Sequence, residues 1–198
     1  MSKPLLIASA NAHKVAEIAQ LLAELPWNIK CLSDFPSVDV PPEHGSTFEQ
    51  NAREKAHYYS ACFGVPCVAD DSGLAVDALN GAPGVHSARY AGKVSSDAQN
   101  TAKLLAAMAD VPEGRRRARF ICCAVLVRPD GSSHLEEGVV EGRIAAGPRG
   151  RSGFGYDPVF IPEGYDRTFA ELGPEIKQSI SHRARAFAKL REYLESLG

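Results

Sequence analysis

The sequence predicts an α/β protein with a mixed β-sheet flanked by helices. Short apolar runs alternate with amphipathic helical stretches through the first half of the chain, and two long strand-like segments around a turn follow in the second half. The composition agrees. At 198 residues, 44% hydrophobic and 23% charged, the chain is an ordinary globular one, long enough to bury a sizeable core.

Residues 5–8 read as the first strand. A helix follows, because Val15, Ile18, Leu22 and Leu25 recur at helical spacing and form one apolar stripe that Pro26 ends. Residues 27–32 read as a second strand. Ser46-Thr47-Phe48-Glu49 has capping-box spacing and opens a second helix, which stops at Gly64. The apolar run Pro66-Cys67-Val68-Ala69 is a buried strand that ends at Asp70. Ser95 or Ser96 caps a third helix through Ala109, carrying Leu104, Leu105 and Met108. Residues 119–127 form a long strand, Pro129-Asp130-Gly131 a turn, and residues 134–144 an antiparallel return. Residues 146–155 are a glycine-rich loop and residues 159–161 a short strand. The last helix runs from about Ser181 to Leu197, with Ala184, Phe187, Leu190, Leu194 and Leu197 towards the core. No repeat, low-complexity tract or long linker interrupts residues 1–198, which read as one continuous domain.

Several function classes drop out. A net charge of −2 creates no field that draws in nucleic acid or a membrane surface. Arg115-Arg116-Arg117-Ala118-Arg119 reads as a solvated turn entering a strand rather than a nucleic-acid patch. No apolar run has the length of a signal peptide or a spanning helix. Cys31, Cys62, Cys67, Cys122 and Cys123 are odd in number and lack C-x-x-C spacing, so they read as reduced and mostly buried thiols. The expected setting is cytoplasmic.

Basic residues stand at helix N-termini, where the dipole favours anions. The loop Ser9-Ala10-Asn11-Ala12-His13-Lys14 leads into the first helix and puts Lys14 in its first turn. A phosphate would suit that end, with Ser9 and Asn11 donating and Lys14 supplying charge, although no Walker A loop is present. Equally open is a plain cap by Asn11, with Lys14 turned to water. The last helix repeats the pattern: Lys177 precedes it, and His182 and Arg183 lie in its first turn. Two such ends suggest a polyanionic ligand.

Acids gather beside these cations. Adjacent carboxylates at Asp70 and Asp71 are costly in a core strand, and a bound Mg²⁺ would turn their repulsion into attraction. Strand alternation lets one of them face a ligand while a neighbouring cation or backbone N–H groups tie down the other. Glu43 is a plausible second metal ligand, and a simple turn or cap at Asp70-Asp71-Ser72-Gly73 is the even alternative. In Ser152-Gly153-Phe154-Gly155-Tyr156-Asp157-Pro158, the flanking glycines give the Phe154 ring room to stack on a base, and Pro158 keeps Asp157 extended.

In this order, the segments resemble the inosine triphosphate pyrophosphatase family over nearly the whole chain. They are Ser9-x-Asn11-x-x-Lys14, Thr47-Phe48-Glu49-x-Asn51-Ala52-x-x-Lys55-Ala56, Ala69-Asp70-Asp71-Ser72-Gly73-Leu74, Gly81-Ala82-Pro83-Gly84-Val85-His86-Ser87-Ala88-Arg89-Tyr90, Gly153-Phe154-Gly155-Tyr156-Asp157-Pro158 and Ser181-His182-Arg183. Family members often carry glycine where this chain has Ala10 and His13. The resemblance implies a homodimer whose subunit has an elongated mixed sheet and two lobes, with the active-site cleft between them. It implies Mg²⁺-dependent hydrolysis of ITP, dITP and XTP, non-standard purine nucleoside triphosphates, to monophosphate and pyrophosphate. By motif, Ser9, Ala10, Asn11, Ala12, His13 and Lys14 bind the triphosphate. Asp71 is general base and metal contact, Glu43 a metal ligand, and Ser72 a substrate contact. Phe154, Gly155, Tyr156, Asp157 and Lys177 hold the nucleotide, while His182 and Arg183 read the base. A broader house-cleaning pyrophosphatase and a non-catalytic nucleotide-binding regulator are the competing expectations.

Overall fold

The computed structural model describes residues 3–197. Its strands are β1 (Lys3–Ile7), β2 (Trp27–Cys31), β3 (Cys67–Val76), β4 (Arg117–Val127), β5 (Ser133–Ile144) and β6 (Phe160–Pro162). Its helices are α1 (Ala12–Leu21), α2 (Phe48–Phe63), α3 (Asp97–Ala107), α4 (Phe169–Leu172), α5 (Pro174–Ile180) and α6 (His182–Ser196). The strand order is β2-β1-β3-β4-β5-β6. Strand β1 pairs parallel with both β2 and β3, whereas β5 and β6 pair antiparallel, so the sheet is mixed as the sequence predicts.

Two compact units divide the chain. One comprises residues 1–71, 122–138 and 183–198; the other comprises residues 72–121 and 139–182. Strands β3, β4 and β5 each cross from one unit to the other along their length.

In the first unit the two-residue strand period sorts side chains to two faces. Leu5 and Ile7 of β1, Val68 of β3 and Cys122, Ala124 and Leu126 of β4 share one core. Ile18 of α1 and Phe187, Leu190 and Leu194 of α6 close it. The alternate residues, Leu6, Cys67, Ala69, Cys123, Val125 and Val127, pack instead with Ala52, Ala56 and Tyr59 of α2. Strands buried on both faces read as continuous apolar runs, as β1 and β4 do. The second unit has its own core, in which Leu74 and Val76 meet Leu104, Met108, Phe120 and Phe160.

Several boundaries differ from the sequence reading for local reasons. Helix α1 stops at Leu21 rather than reaching Pro26: the Leu22 N–H bonds back to Ile18 and Gln20, and Leu25 enters the core from the turn beyond. The cap of α2 is shifted by one residue, with Thr47 Oγ1 accepting from Gln50 N and Gln50 Oε1 accepting from Ser46 N. Strand β3 does not end at Asp70. It runs through Asp71-Ser72-Gly73 to Val76, which removes the turn alternative. Helices α4 and α5 were not expected, although Thr168 and Glu171 form a capping box at α4 and Pro174 opens α5. The arginine run is not wholly solvated: Arg116 is buried and donates to the carbonyls of Met108 (2.7 Å), Val111 (3.1 Å) and Ala145 (2.9 Å).

The thiols follow expectation. Cys67, Cys122 and Cys123 are buried and free, Cys31 is half-buried and Cys62 exposed. Burial pushes the Cys67 and Cys122 thiols up, and burial followed by Glu137 pushes Cys123 up to about 12.

Arg116→Ala leaves three carbonyls without their donor, and each buried unsatisfied group costs about 1–3 kcal/mol. The expected loss is on the order of 3 kcal/mol, read as a lowered urea midpoint; an unchanged midpoint would show that the three bonds carry no net stability.

Candidate active site

Strand parity assigns the two acids of β3 to different neighbours. Asp70 follows Val68 by two residues and faces α1 and α6; Asp71 follows Ala69 and faces α2. The Asp70 side chain is fully buried, with Lys14 Nζ of α1 at 3.1 Å and Arg183 Nη2 of α6 at 3.0 Å from Oδ2. Arg183 Nη1 also meets Glu17 Oε2 at 2.5 Å. Burial alone would push Asp70 up. Lys14, Arg183 and Lys55 outweigh it and hold the carboxyl well below the usual range.

Asp71 Oδ2 accepts from Asn51 Nδ2 at 2.9 Å. Burial pushes Asp71 above its ordinary value; Lys14, the Asn51 hydrogen bond and Lys55 pull against that, and the charge of Glu43 adds to the push. One turn along α2 from Asn51, Lys55 reaches Glu43 Oε1 at 2.6 Å and the Asp70 carbonyl at 3.3 Å. The i, i+4 spacing of Asn51 and Lys55 puts both on one helical face, beside the small core residues Ala52 and Ala56.

The donor set decides which metal could fit. Glu43 and Asp71 are oxygen donors close enough for one charge to raise the other's pKa. Among the described residues no three or more His, Cys, Asp and Glu side chains are grouped to hold a metal ion. Two carboxylates therefore fit a hard divalent cation that completes its shell with phosphate oxygens and water, not a fully protein-built cage.

The first loop is a capped helix start. Asn11 Oδ1 accepts from His13 N (3.0 Å) and Lys14 N (3.2 Å), and Ser9 Oγ accepts from Asn11 N (3.2 Å). So Asn11 caps α1, as one sequence reading had it, while Lys14 turns to Asp70 rather than to water. Ala10, Asn11, Ala12 and His13 are exposed, and Ser9 and Lys14 are half-buried.

In the second unit, residues 153–157 form a braced loop. Gly153 (φ 80°) and Gly155 (φ 62°) adopt left-handed backbone on either side of Phe154. A Cβ at Gly153 would lie 2.9 Å from Asp157 Cγ, so only glycine fits there. Asp157 is not extended, contrary to the expectation from Pro158. The N–H groups of Val159 and Phe160 both bond to the Tyr156 carbonyl, closing a turn over this segment. Its buried carboxylate accepts from Phe154 N at 2.9 Å and from Lys177 Nζ at 2.7 Å. Lys177, itself buried in α5, also sits 4.1 Å from the centre of the Phe154 ring, a cation–π distance. Asp97 Oδ2 holds Gly155 N at 2.7 Å, and Tyr156 donates to the Ser87 carbonyl at 2.8 Å from a buried position.

The structure therefore brings Lys14, Asp70, Asp71, Glu43 and Arg183 into one network, and Phe154, Gly155, Tyr156, Asp157 and Lys177 into another. Tyr156 and Asp157 brace this loop through the Ser87 carbonyl, Phe154 N and Lys177. Arg183 turns its guanidinium to Asp70 and Glu17. His182 is buried, its ring stacked on Phe120 at 4.7 Å, and Ser72 is half-buried in β3. Asn51 and Lys55 were missed; their motif was visible, but only the fold shows that their face meets Asp71 and Glu43. A separate hollow of about 610 Å³ in the second unit, lined in part by Arg116, Arg143 and Arg149, holds none of the predicted residues.

A network of this kind on an α/β sheet suits a protein that binds phosphate groups with a divalent ion. The model of the Ham1 family matches residues 5–193. A dITP/XTP pyrophosphatase of Nocardia farcinica is 49% identical over 195 residues, covering 97% of this chain and 95% of that protein. One from Geobacillus kaustophilus is 49% identical over 195 residues, covering 98% and 96%. The solved structure of a HAM1 protein from Coxiella burnetii matches with a TM-score of 0.90 at 42% identity, covering 98% of this chain and 99% of that one. The chain belongs to the Ham1 family.

Because its folded-state pKa is depressed, Asp70 contributes stability that is complete above its unfolded value of about 3.9 and is lost as pH falls below it. Asp70→Asn removes the carboxylate that Lys14 and the buried Arg183 share, leaving Arg183 its pair with Glu17, and should cost about 3 kcal/mol at neutral pH. Its unfolding midpoint should also change less than the wild type's as pH falls from about 4. Parallel curves for the two proteins would contradict the ion-pair account.

Proposed function

We propose that this chain hydrolyses ITP, dITP and XTP to the monophosphate and pyrophosphate, removing them from the nucleotide pool before they enter DNA or RNA. The observation that carries this reading is the 49% identity to dITP/XTP pyrophosphatases over nearly the full length of both chains.

Cutting between the α and β phosphates needs an in-line water, a proton acceptor and neutralisation of the leaving pyrophosphate. Asp71 is assigned as the acceptor; its raised pKa makes it a stronger base than an ordinary aspartate. Lys14 supplies positive charge to the triphosphate, together with the exposed loop 9–13 and its Ser9 hydroxyl. Ser72, beside Asp71 on β3, is assigned a substrate contact. Glu43 and Asp71 would hold Mg²⁺, which when bound polarises phosphoryl oxygens and offsets charge on pyrophosphate. Arg183 is assigned to keeping Asp70 and Lys14 in place.

At the base end, Phe154 offers a ring for stacking, with Gly155, Tyr156, Asp157 and Lys177 fixing its loop. His182 is assigned to reading the 6-oxo group that hypoxanthine and xanthine share. A donor there would be left unpaired by the 6-amino group of adenine, which is a strong form of rejection. The proposal also includes a homodimer in the cytoplasm; no helix among the described residues is long and apolar enough to cross a membrane.

With Mg²⁺ present, ITP, dITP and XTP should each yield monophosphate plus pyrophosphate, separated by chromatography, and ATP should be cut far more slowly. Diphosphate plus orthophosphate would refute the cleavage position. Asp71→Asn should lower turnover by roughly 100-fold or more, the scale of general-base loss, with thermal unfolding little changed. Near-normal turnover in that variant would remove Asp71 from the chemistry.

A further inference from the structure

We propose that Asn51 is the positioning residue of this site, one side chain that sets both the Asp71 carboxylate and the loop bearing Glu43. This rests on the proposed roles of Asp71 and Glu43 and adds to them a single device that fixes their relation.

Asn51 lies at the start of α2, just past its Thr47 cap, and is 1% exposed. A primary amide carries an acceptor oxygen and a donor nitrogen at the same distance from the backbone. Both ends are used. Oδ1 accepts the Gly45 N–H at 2.8 Å, and Nδ2 donates to Asp71 Oδ2 at 2.9 Å. The orientation of the amide is fixed by its partners, since a backbone N–H only donates and a carboxylate only accepts.

Gly45 is two residues from Glu43, so the Asn51 bond tethers the loop close to its acidic residue. The approach is tight: a Cβ at position 45 would lie 2.6 Å from Asn51 Oδ1 and 2.8 Å from Gln50 Cβ. Glycine is required there because the loop backbone lies against the α2 side chains. Gln50 reinforces the tether by accepting from Ser46 N (2.9 Å) and Ser46 Oγ (3.0 Å). Helix α2 is itself pinned to the sheet by buried Ala52 and Ala56, so the amide sits on a rigid mount.

Few other side chains can do both jobs. Ionised aspartate lacks a donor for Asp71, alanine lacks both groups, and leucine would bury two unmet partners. Misplacing a catalytic group by about 1 Å costs on the order of 100-fold in rate. Asn51 therefore acts on turnover through Asp71 without touching substrate.

The two halves of the role separate in two variants. In Asn51→Ala both bonds are lost. In Asn51→Asp the carboxylate still accepts from Gly45 N–H but repels Asp71. On ITP with saturating Mg²⁺, kcat should fall roughly 10- to 100-fold in both, with KM within about threefold of wild type. Amide hydrogen exchange at Gly45, followed by NMR without nucleotide, should quicken at least about tenfold in the alanine variant and stay near wild type in the aspartate variant. Wild-type kcat in Asn51→Asp, or unchanged Gly45 exchange in Asn51→Ala, would overturn the inference. Failure of the wild-type protein to cut ITP would instead sink the proposed function, while the Gly45 comparison still tests the tether.

Discussion

A β-strand turns successive side chains to opposite faces, and in β3 that rule separates Asp70 from Asp71. Asp70 lands among α1 and α6, where Lys14 and Arg183 neutralise it in full burial. Asp71 lands against α2, where the Asn51 amide donates to its carboxylate at 2.9 Å. The same two-residue step also sets their electrostatics: one carboxyl is held well below the ordinary range and the other is pushed above it. A pair of groups driven apart in this way is how a site obtains a fixed charge and a base from one residue type.

The two units solve different problems with the same few interactions. In the first, long-range ion pairs tie helix N-termini to a strand: Lys14 is in the first turn of α1 and Arg183 in that of α6. Cations are mildly unfavourable at those positions. Asp70 offsets that cost, which explains why basic residues persist there. In the second unit the polar groups point inward to hold a loop. Asp157, Asp97 and Ser87 each take a hydrogen bond from residues 154–156, leaving Phe154 half-buried at the surface of a rigid turn.

Much of this was legible in the sequence. Continuous apolar runs located strands β1 and β4, cap and stop residues located helix α2, and an apolar stripe at helical spacing located helix α6, each to within a few residues. The acids of β3 were legible as an anomaly, and strand alternation was enough to assign them different jobs. Three features were hidden, two because their cause lies in contacts made by the folded chain and one because its elements are short. Asp70-Asp71-Ser72-Gly73 looks like a turn, yet Lys14, Arg183 and Asn51 satisfy the acids and Ser87 accepts from Leu74 N, so the strand continues. Arg116 looked solvated within a basic run; it is buried, donating to the carbonyls of Met108 and Val111 just before it and of Ala145 farther along the chain. Helices α4 and α5 are too short for periodicity to show, and only Thr168-x-x-Glu171 and Pro174 mark their starts. The motif that contains Asn51 was visible in the sequence, but that its one amide joins Gly45 to Asp71 was not.

The separation of the two acids can be measured directly by titrating ¹³C-carboxyl-labelled aspartate in the folded protein by NMR. The account predicts that Asp70 stays ionised to well below the ordinary aspartate value of about 3.9, while Asp71 takes up its proton above that value. Two carboxyls that titrate together near about 3.9 would contradict it, because neither the buried ion pairs nor the assigned base could then be as described.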